Sequence, residues 1–264
     1  MTEVRRLSAE AETLRARQGD GARYDAANAP HAELLLARRG TAYFARVLQE
    51  LGDDDLDAPS LLTGWSRRML IAHVGYNARG LARLTQWART GTKTPMYDSD
   101  SQRWDEIVSG ASLPPQALRH LFEHSAIHLN VEWRDLEDSQ WDASVVTAQG
   151  RTVPARETTW MRAKEVWVHA VDLGTRGSFA DFPPEMIDGI IDDVLRVWNR
   201  RDERLSLLLR ASDRPAEWGE RRIGTGGPVV EGRAVDIARW LARGRAHGLR
   251  RVDGDDLPDI PRWF

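Results

Sequence analysis

Residues Ala155 to Gly174 constrain the fold of this chain more than any other stretch. Read as a helix, the segment carries apolar side chains on nearly every side, with Met161, Val166, Trp167, Val168, Val171 and Leu173 spread around it. A helix that is hydrophobic all round has to be buried, so other elements must surround it. Yet the same segment holds Glu165 and His169, four residues apart. That spacing sets one a turn above the other, with Cβ atoms roughly 5 to 6 Å apart. A carboxylate and an imidazole in a dry segment need partners. Either they bond to each other or to a neighbouring helix and only fix packing, or they are two ligands of a divalent metal whose third comes from elsewhere.

The rest of the chain supplies candidate surroundings. Residues 1–30 read as a polar extension with a short amphipathic helix around Leu7 to Arg17. Leu34, Ala37, Phe44, Val47, Leu48 and Leu51 then recur at helical spacing up to Gly52, weakly in the middle at Gly40 and Thr41. After an acidic run and Pro59, Ser66 is a candidate N-cap, and Trp65, Met69, Ala72, Tyr76, Gly80, Leu84 and Trp87 mark a helix closed by Gly91. At some 25 residues it spans about 37 Å. A loop over residues 92–113 leads to Pro114 and Pro115, which suit the first turn of a third helix, with Leu118, Leu121, Phe122, Ser125, Leu129 and Trp133 on its apolar face. The fourth is the opening stretch. Four helices, none strand-like, predict a bundle over residues 31–178 whose core can hold a metal site. Residues 179–264 read as a small α+β domain. It has a helix after Pro183 and Pro184, strands at 205–210 and 216–223, a GTGGP turn before Val229 and Val230, a helix over 234–241 and a strand near 249–252. The fold class is therefore mainly α, with an α+β part.

His73 falls inside the apolar stripe of the second helix, as Glu165 and His169 do on the fourth. Two imidazoles and a carboxylate that leave a further position open are the ligand set of a catalytic zinc or a non-haem iron site. The ladder His120, His124, His128 lies toward the other side of the third helix and reads as solvated. GTGGP has no Lys and following helix and reads as a turn, and Ser66, Ser125 and Ser178 show no accompanying His and Asp arrangement. Trp65, Trp160 and Trp167 could wall a cavity near a metal. A net charge of -3 from 37 basic and 40 acidic residues argues against nucleic acid as a partner. No apolar run approaches a membrane span and the N-terminus lacks a signal-peptide core, so a cytoplasmic protein is expected. Cysteine is absent, so the chain has no thiol of its own to use as ligand or nucleophile.

The run GWSRRMLIAHVGYNARGLARLTQWARTGTKTPMY, with the later KEVWVHAVDLG and RWLARGRAHGL, resembles the mycothiol-dependent maleylpyruvate isomerase family. The resemblance covers roughly residues 31–250. It implies a DinB-like metal-binding four-helix bundle joined to the small C-terminal α+β domain. The family's metal ligands match His73, Glu165 and His169 residue by residue. Its active-site arginine falls by position on Arg243, and the local spelling Leu241, Ala242, Arg243, Gly244, Arg245 leaves Arg245 open as well.

The activity implied is isomerisation of maleylpyruvate to fumarylpyruvate, a step in gentisate degradation. A low-molecular-weight thiol, mycothiol or else glutathione, would add to the double bond, allow rotation and be expelled. Free thiols are only slightly ionised at pH 7, and a zinc ion deprotonates a thiol that coordinates it. The arginine would hold a carboxylate of the dicarboxylate-type substrate or a developing enolate. A metal-dependent thiol S-transferase of the same bundle type and a non-catalytic metal or thiol sensor are the alternative readings.

Overall fold

The computed structural model describes residues 24–218 and 220–263; the helix expected around Leu7 to Arg17 lies outside them. Among the described residues the helices are α1 (His31–Gln49), α2 (Arg67–Thr90), α3 (Asp100–Ala111), α4 (Pro115–Arg134), α5 (Glu157–Asp172), α6 (Pro184–Arg200) and α7 (Ala234–Arg243). The strands are β1 (Ser144–Val146), β2 (Thr152–Pro154), β3 (Leu207–Ala211), β4 (Arg221–Ile223), β5 (Val229–Gly232) and β6 (Leu249–Arg251). The protein is mainly α with a small α+β part, as expected. Contacts divide the chain into two units: Met1–Thr41 with Asp53–Ala58 and Trp65–Ala163, and Ala42–Gly52 with Pro59–Gly64 and Lys164–Phe264.

In the first unit the ends of α2 follow from local chemistry. Ser66 is extended and its hydroxyl accepts from the Met69 N–H, while Gly91 closes the helix with a φ of 72° and donates to Trp87 O. Pro115 opens α4 as its first residue, where a missing N–H costs nothing. Through the weak middle of α1 the Thr41 hydroxyl donates back to Ala37 O at 2.9 Å, and the helix runs on unbroken.

The loop expected over residues 92–113 contains α3. Ser99 caps it through the Gln102 N–H at 3.0 Å, and the Gln102 side chain accepts from the Asp98 N–H, a variant of the reciprocal capping arrangement. Its apolar signal is weak because Ile107 is buried whereas Trp104 and Val108 are exposed. Gly110 is what lets it approach α2: a Cβ there would stand 2.7 Å from a Tyr76 ring carbon and 2.8 Å from the Ala72 Cβ.

The hairpin β1–β2, antiparallel with Val145 opposite Val153, was also not expected. Arg162, buried in the first turns of α5, donates to Val74 O at 2.7 Å and to Asn77 Oδ1 at 3.1 Å, which ties this part of α5 to α2.

In the second unit the sheet order is β4-β3-β5-β6, with β3 and β5 parallel and the outer pairs antiparallel. Leu207, Leu209 and Val230 are buried, as are the apolar faces of α6 (Met186, Ile190, Ile191, Val194, Trp198) and α7 (Ile237, Ala238, Leu241); α7 packs on β3 and β5, and α6 packs on β4 and α7. The strand expected over residues 216–223 is present only as Arg221–Ile223. Ala216–Trp218, following Pro215, form a 3-10 turn instead.

The buried Asp193 on α6 collects Lys164 Nζ at 3.4 Å, Arg196 Nη1 at 3.0 Å and the indole N–H of Trp263 at 3.2 Å. The Lys164 ammonium also lies 5.7 Å from the Trp263 ring centroid. Trp167 of α5 stacks on Tyr43 with centroids 4.9 Å apart. The Tyr43 hydroxyl donates to Asp181 at 2.6 Å; burial first, and this bond second, push its pKa up, so it remains a donor.

Candidate metal centre

Helix α5 is buried almost all round, with Val166, Trp167, Val168 and Ala170 inside the fold. Its helical register brings Glu165 and His169 onto one face, and the carboxylate Oε2 stands 3.2 Å from His169 Nε2. One turn further on, Asp172 Oδ2 lies 2.8 Å from His169 Nδ1. The imidazole is thus flanked by a carboxylate at each nitrogen. Asp172 also receives a two-pronged contact from Arg243, with Nε to Oδ1 at 2.9 Å and Nη2 to Oδ2 at 2.6 Å. Its side chain is 1% exposed, against 16% for Arg243.

The electrostatics follow from this packing. Burial works against charging His169, but the hydrogen bonds to Asp172 and Glu165, with the charge of both carboxylates, outweigh it and hold the ring at about 8. Burial likewise favours a neutral Asp172; the Arg243 guanidinium, followed by His169, overcomes that and brings the carboxyl down to about 2. Asp172 is therefore an anion across the working pH range, able to accept from His169 Nδ1–H and leave Nε2 as the donor atom.

His73 sits within α2 in the first unit, buried, with the Trp65 indole edge-on to its ring at a centroid distance of 5.6 Å. In the second unit Glu165 and His169 supply a carboxylate and an imidazole of the kind that hold a metal ion; His73 is the second imidazole of the ligand set read from the sequence. The chemistry of this set suits zinc or another divalent metal of intermediate softness.

Arg243 ends α7, and Arg245 follows Gly244, which takes the left-handed conformation. Arg243 and the exposed Arg245 line one small cavity of about 70 Å³, with Leu61, Val171, Asp172, Phe179 and Arg239. Arg239 is tied to Asp236 Oδ1 at 2.7 Å and to His247 O. Of the other residues singled out, His120 and His124 stack on the exposed face of α4 with centroids 5.9 Å apart. Ser66 serves as a helix cap and Ser125 accepts from Arg79.

Sequence reasoning missed Asp172. Its spacing from His169 was a visible signal, since residues three apart share a helical face. Its pairing with Arg243, 71 positions away, had no local signal.

The comparisons with known proteins agree with one another. The family described as the mycothiol maleylpyruvate isomerase N-terminal domain matches residues 37–174. A solved structure of a mycothiol-dependent maleylpyruvate isomerase aligns with a TM-score of 0.82 at 40% identity, covering 88% of this chain and 96% of that one. A second, of a histidine-to-alanine variant described by the same name, gives a TM-score of 0.81 with the same identity and coverage. A search among curated proteins finds no match. With a family match over residues 37–174 and 40% identity along 96% of a solved relative, the chain belongs to the mycothiol-dependent maleylpyruvate isomerase family, a family of isomerase enzymes.

Proposed function

We propose that this chain converts maleylpyruvate to fumarylpyruvate by cis-trans isomerisation, with mycothiol as the thiol and a divalent metal, zinc, held by His73, Glu165 and His169. The observation that carries the reading is the 40% identity to a mycothiol-dependent maleylpyruvate isomerase over 96% of that protein. The partly buried carboxylate of Glu165, the buried imidazole of His169 and the buried carboxylate of Asp172 on α5 support it independently. Bound at these ligands, the metal would keep the sulfur of mycothiol as a thiolate, the nucleophile whose reversible addition turns the substrate's double bond into a rotatable single bond. A chain with no cysteine of its own is consistent with sulfur supplied by a cofactor.

The protein's own part is positional and electrostatic. Asp172 keeps the His169 proton on Nδ1, and both of these side chains are buried. Arg243 is the group that would hold a carboxylate of the substrate or the enolate oxygen as negative charge develops there. The apolar wall of Leu61, Val171 and Phe179 beside it strengthens that interaction by lowering the local dielectric. No helix among the described residues is long and apolar enough to cross a membrane, and a small water-soluble diacid needs none.

Two measurements test the proposal. Elemental analysis of protein purified without chelator or nickel should give about one zinc per chain. A product trace with maleylpyruvate and mycothiol should then show fumarylpyruvate formed while the thiol is returned unchanged. Stoichiometric consumption of the thiol would move the reading to an S-transferase, and tight metal binding without turnover would move it to a sensor.

A further inference from the structure

The metal ligand His169 and the arginine Arg243 meet on one carboxylate. Asp172 faces His169 Nδ1 through Oδ2 at 2.8 Å and takes Nε and Nη2 of Arg243 at 2.9 and 2.6 Å. It is 1% exposed, and its backbone carbonyl is held by the Leu61 N–H at 2.8 Å. Its place is therefore fixed from both main chain and side chain. A carboxylate behind a metal-ligating histidine fixes the tautomer and ring orientation and raises the basicity of the ligand nitrogen. A two-pronged contact on a guanidinium fixes the plane of that group, which a single contact leaves free to turn.

We propose that Asp172 is a positioning residue that sets the orientation of His169 and of Arg243 together, so that the two ends of the site share one reference point. The proposal rests on the reading of Glu165 and His169 as metal ligands, and it assigns Asp172 no contact with substrate. It predicts behaviour that independent residues would not show. A change at Asp172 reaches both metal affinity and turnover, and a change in the shape of the cation at residue 243 is felt at the metal.

The test compares wild type, Asp172→Asn, Arg243→Lys and the double variant, each loaded with Co2+ as a spectroscopic substitute. Metal affinity, the visible Co2+ spectrum and kcat and KM for isomerisation are measured, with thermal melting as the check on folding. Asp172→Asn is expected to weaken metal binding about 10- to 100-fold, to shift the Co2+ bands and to lower kcat more than it raises KM. Arg243→Lys keeps the charge but loses the two-pronged contact; it should lower kcat with metal retained and shift the same bands less. The double variant should lose less than the product of the two single effects, as residues acting through one contact do.

Asp172→Asn matching wild type in affinity, spectrum and kcat overturns the proposal while the metal centre stands. If Asp172→Asn does not fold, Arg243→Lys decides alone, and unshifted bands with wild-type kcat overturn the coupling. A wild-type chain that takes up neither Co2+ nor Zn2+ overturns the metal centre and this role together.

Discussion

Replacing Arg243 by alanine removes the cation from a carboxylate that has almost no access to water. Asp172 is 1% exposed and would retain His169 as its hydrogen-bond partner at 2.8 Å. Holding its carboxyl at about 2 instead of the ordinary 3.8 corresponds to about 2–3 kcal/mol of folded-state stability at neutral pH. Breaking a buried ion pair by removing one partner costs about 3–5 kcal/mol. Arg243 shares the stabilisation of Asp172 with His169 and is itself 16% exposed, so the expected loss is near the lower figure, about 3 kcal/mol. Urea unfolding of chelator-treated protein at pH 7 measures it as a lower midpoint at unchanged slope. Because the folded-state pKa is depressed, the contribution is complete above 3.8 and disappears as pH falls through about 2. The gap between the two proteins should therefore be constant from about pH 5 to 7 and narrow on acidification. A loss below about 0.5 kcal/mol at pH 7, the size seen for exposed pairs, would refute the argument that this pair acts as a buried one. In the same variant, metal content should be retained and isomerase turnover lost.

Three further outcomes follow from the geometry. His73→Ala and His169→Ala should each abolish metal in elemental analysis and activity with it; full activity in a verified metal-free His73→Ala protein would remove the metal from the scheme. Because His169 has to be neutral to bind metal and its pKa is held at about 8, metal uptake should release a proton. Apparent affinity should then fall about tenfold per pH unit below 8, which competition with a chelator of known pH dependence would reveal; a flat profile between pH 6 and 8 contradicts it. Gly110→Ala places a Cβ 2.7 Å from Tyr76 and 2.8 Å from the Ala72 Cβ and should cost about 1–3 kcal/mol through overpacking, read as a lower Tm with metal binding preserved.

The parts of the fold legible in the sequence are those written in neighbouring residues. Ser66, Gly91 and Pro115 mark the ends of α2 and the start of α4 because caps act within one turn. Glu165 and His169 are visible as a pair because four residues make one helical turn. Helix α3 escapes the same reasoning: its capping residues are present, but with Trp104 and Val108 exposed its apolar stripe has little more than Ile107 to show. Strands β1 and β2 are three residues each, too short for an alternation to register. Arg162 looks like surface charge in sequence, yet its partners Val74 and Asn77 lie more than 80 positions earlier. Asp172 carried half a signal, its spacing from His169, while the half that concerns Arg243 depends on chain closure across 71 positions.

The contacts around α5 also set an order in time. Lys164, next to Glu165, is fastened by Asp193 and by the ring of Trp263, and Asp172 is fastened by Arg243. All three partners are synthesised after the helix they secure. At roughly 5–20 residues per second, the ribosome needs roughly 5–20 s after adding Asp172 to reach Trp263. During that interval the turn bearing Glu165 and His169 lacks its side supports, and a nascent chain would hold metal less firmly than the finished one. If the proposed metal centre is correct, its uptake of metal would follow completion of the chain and not emergence of the ligands.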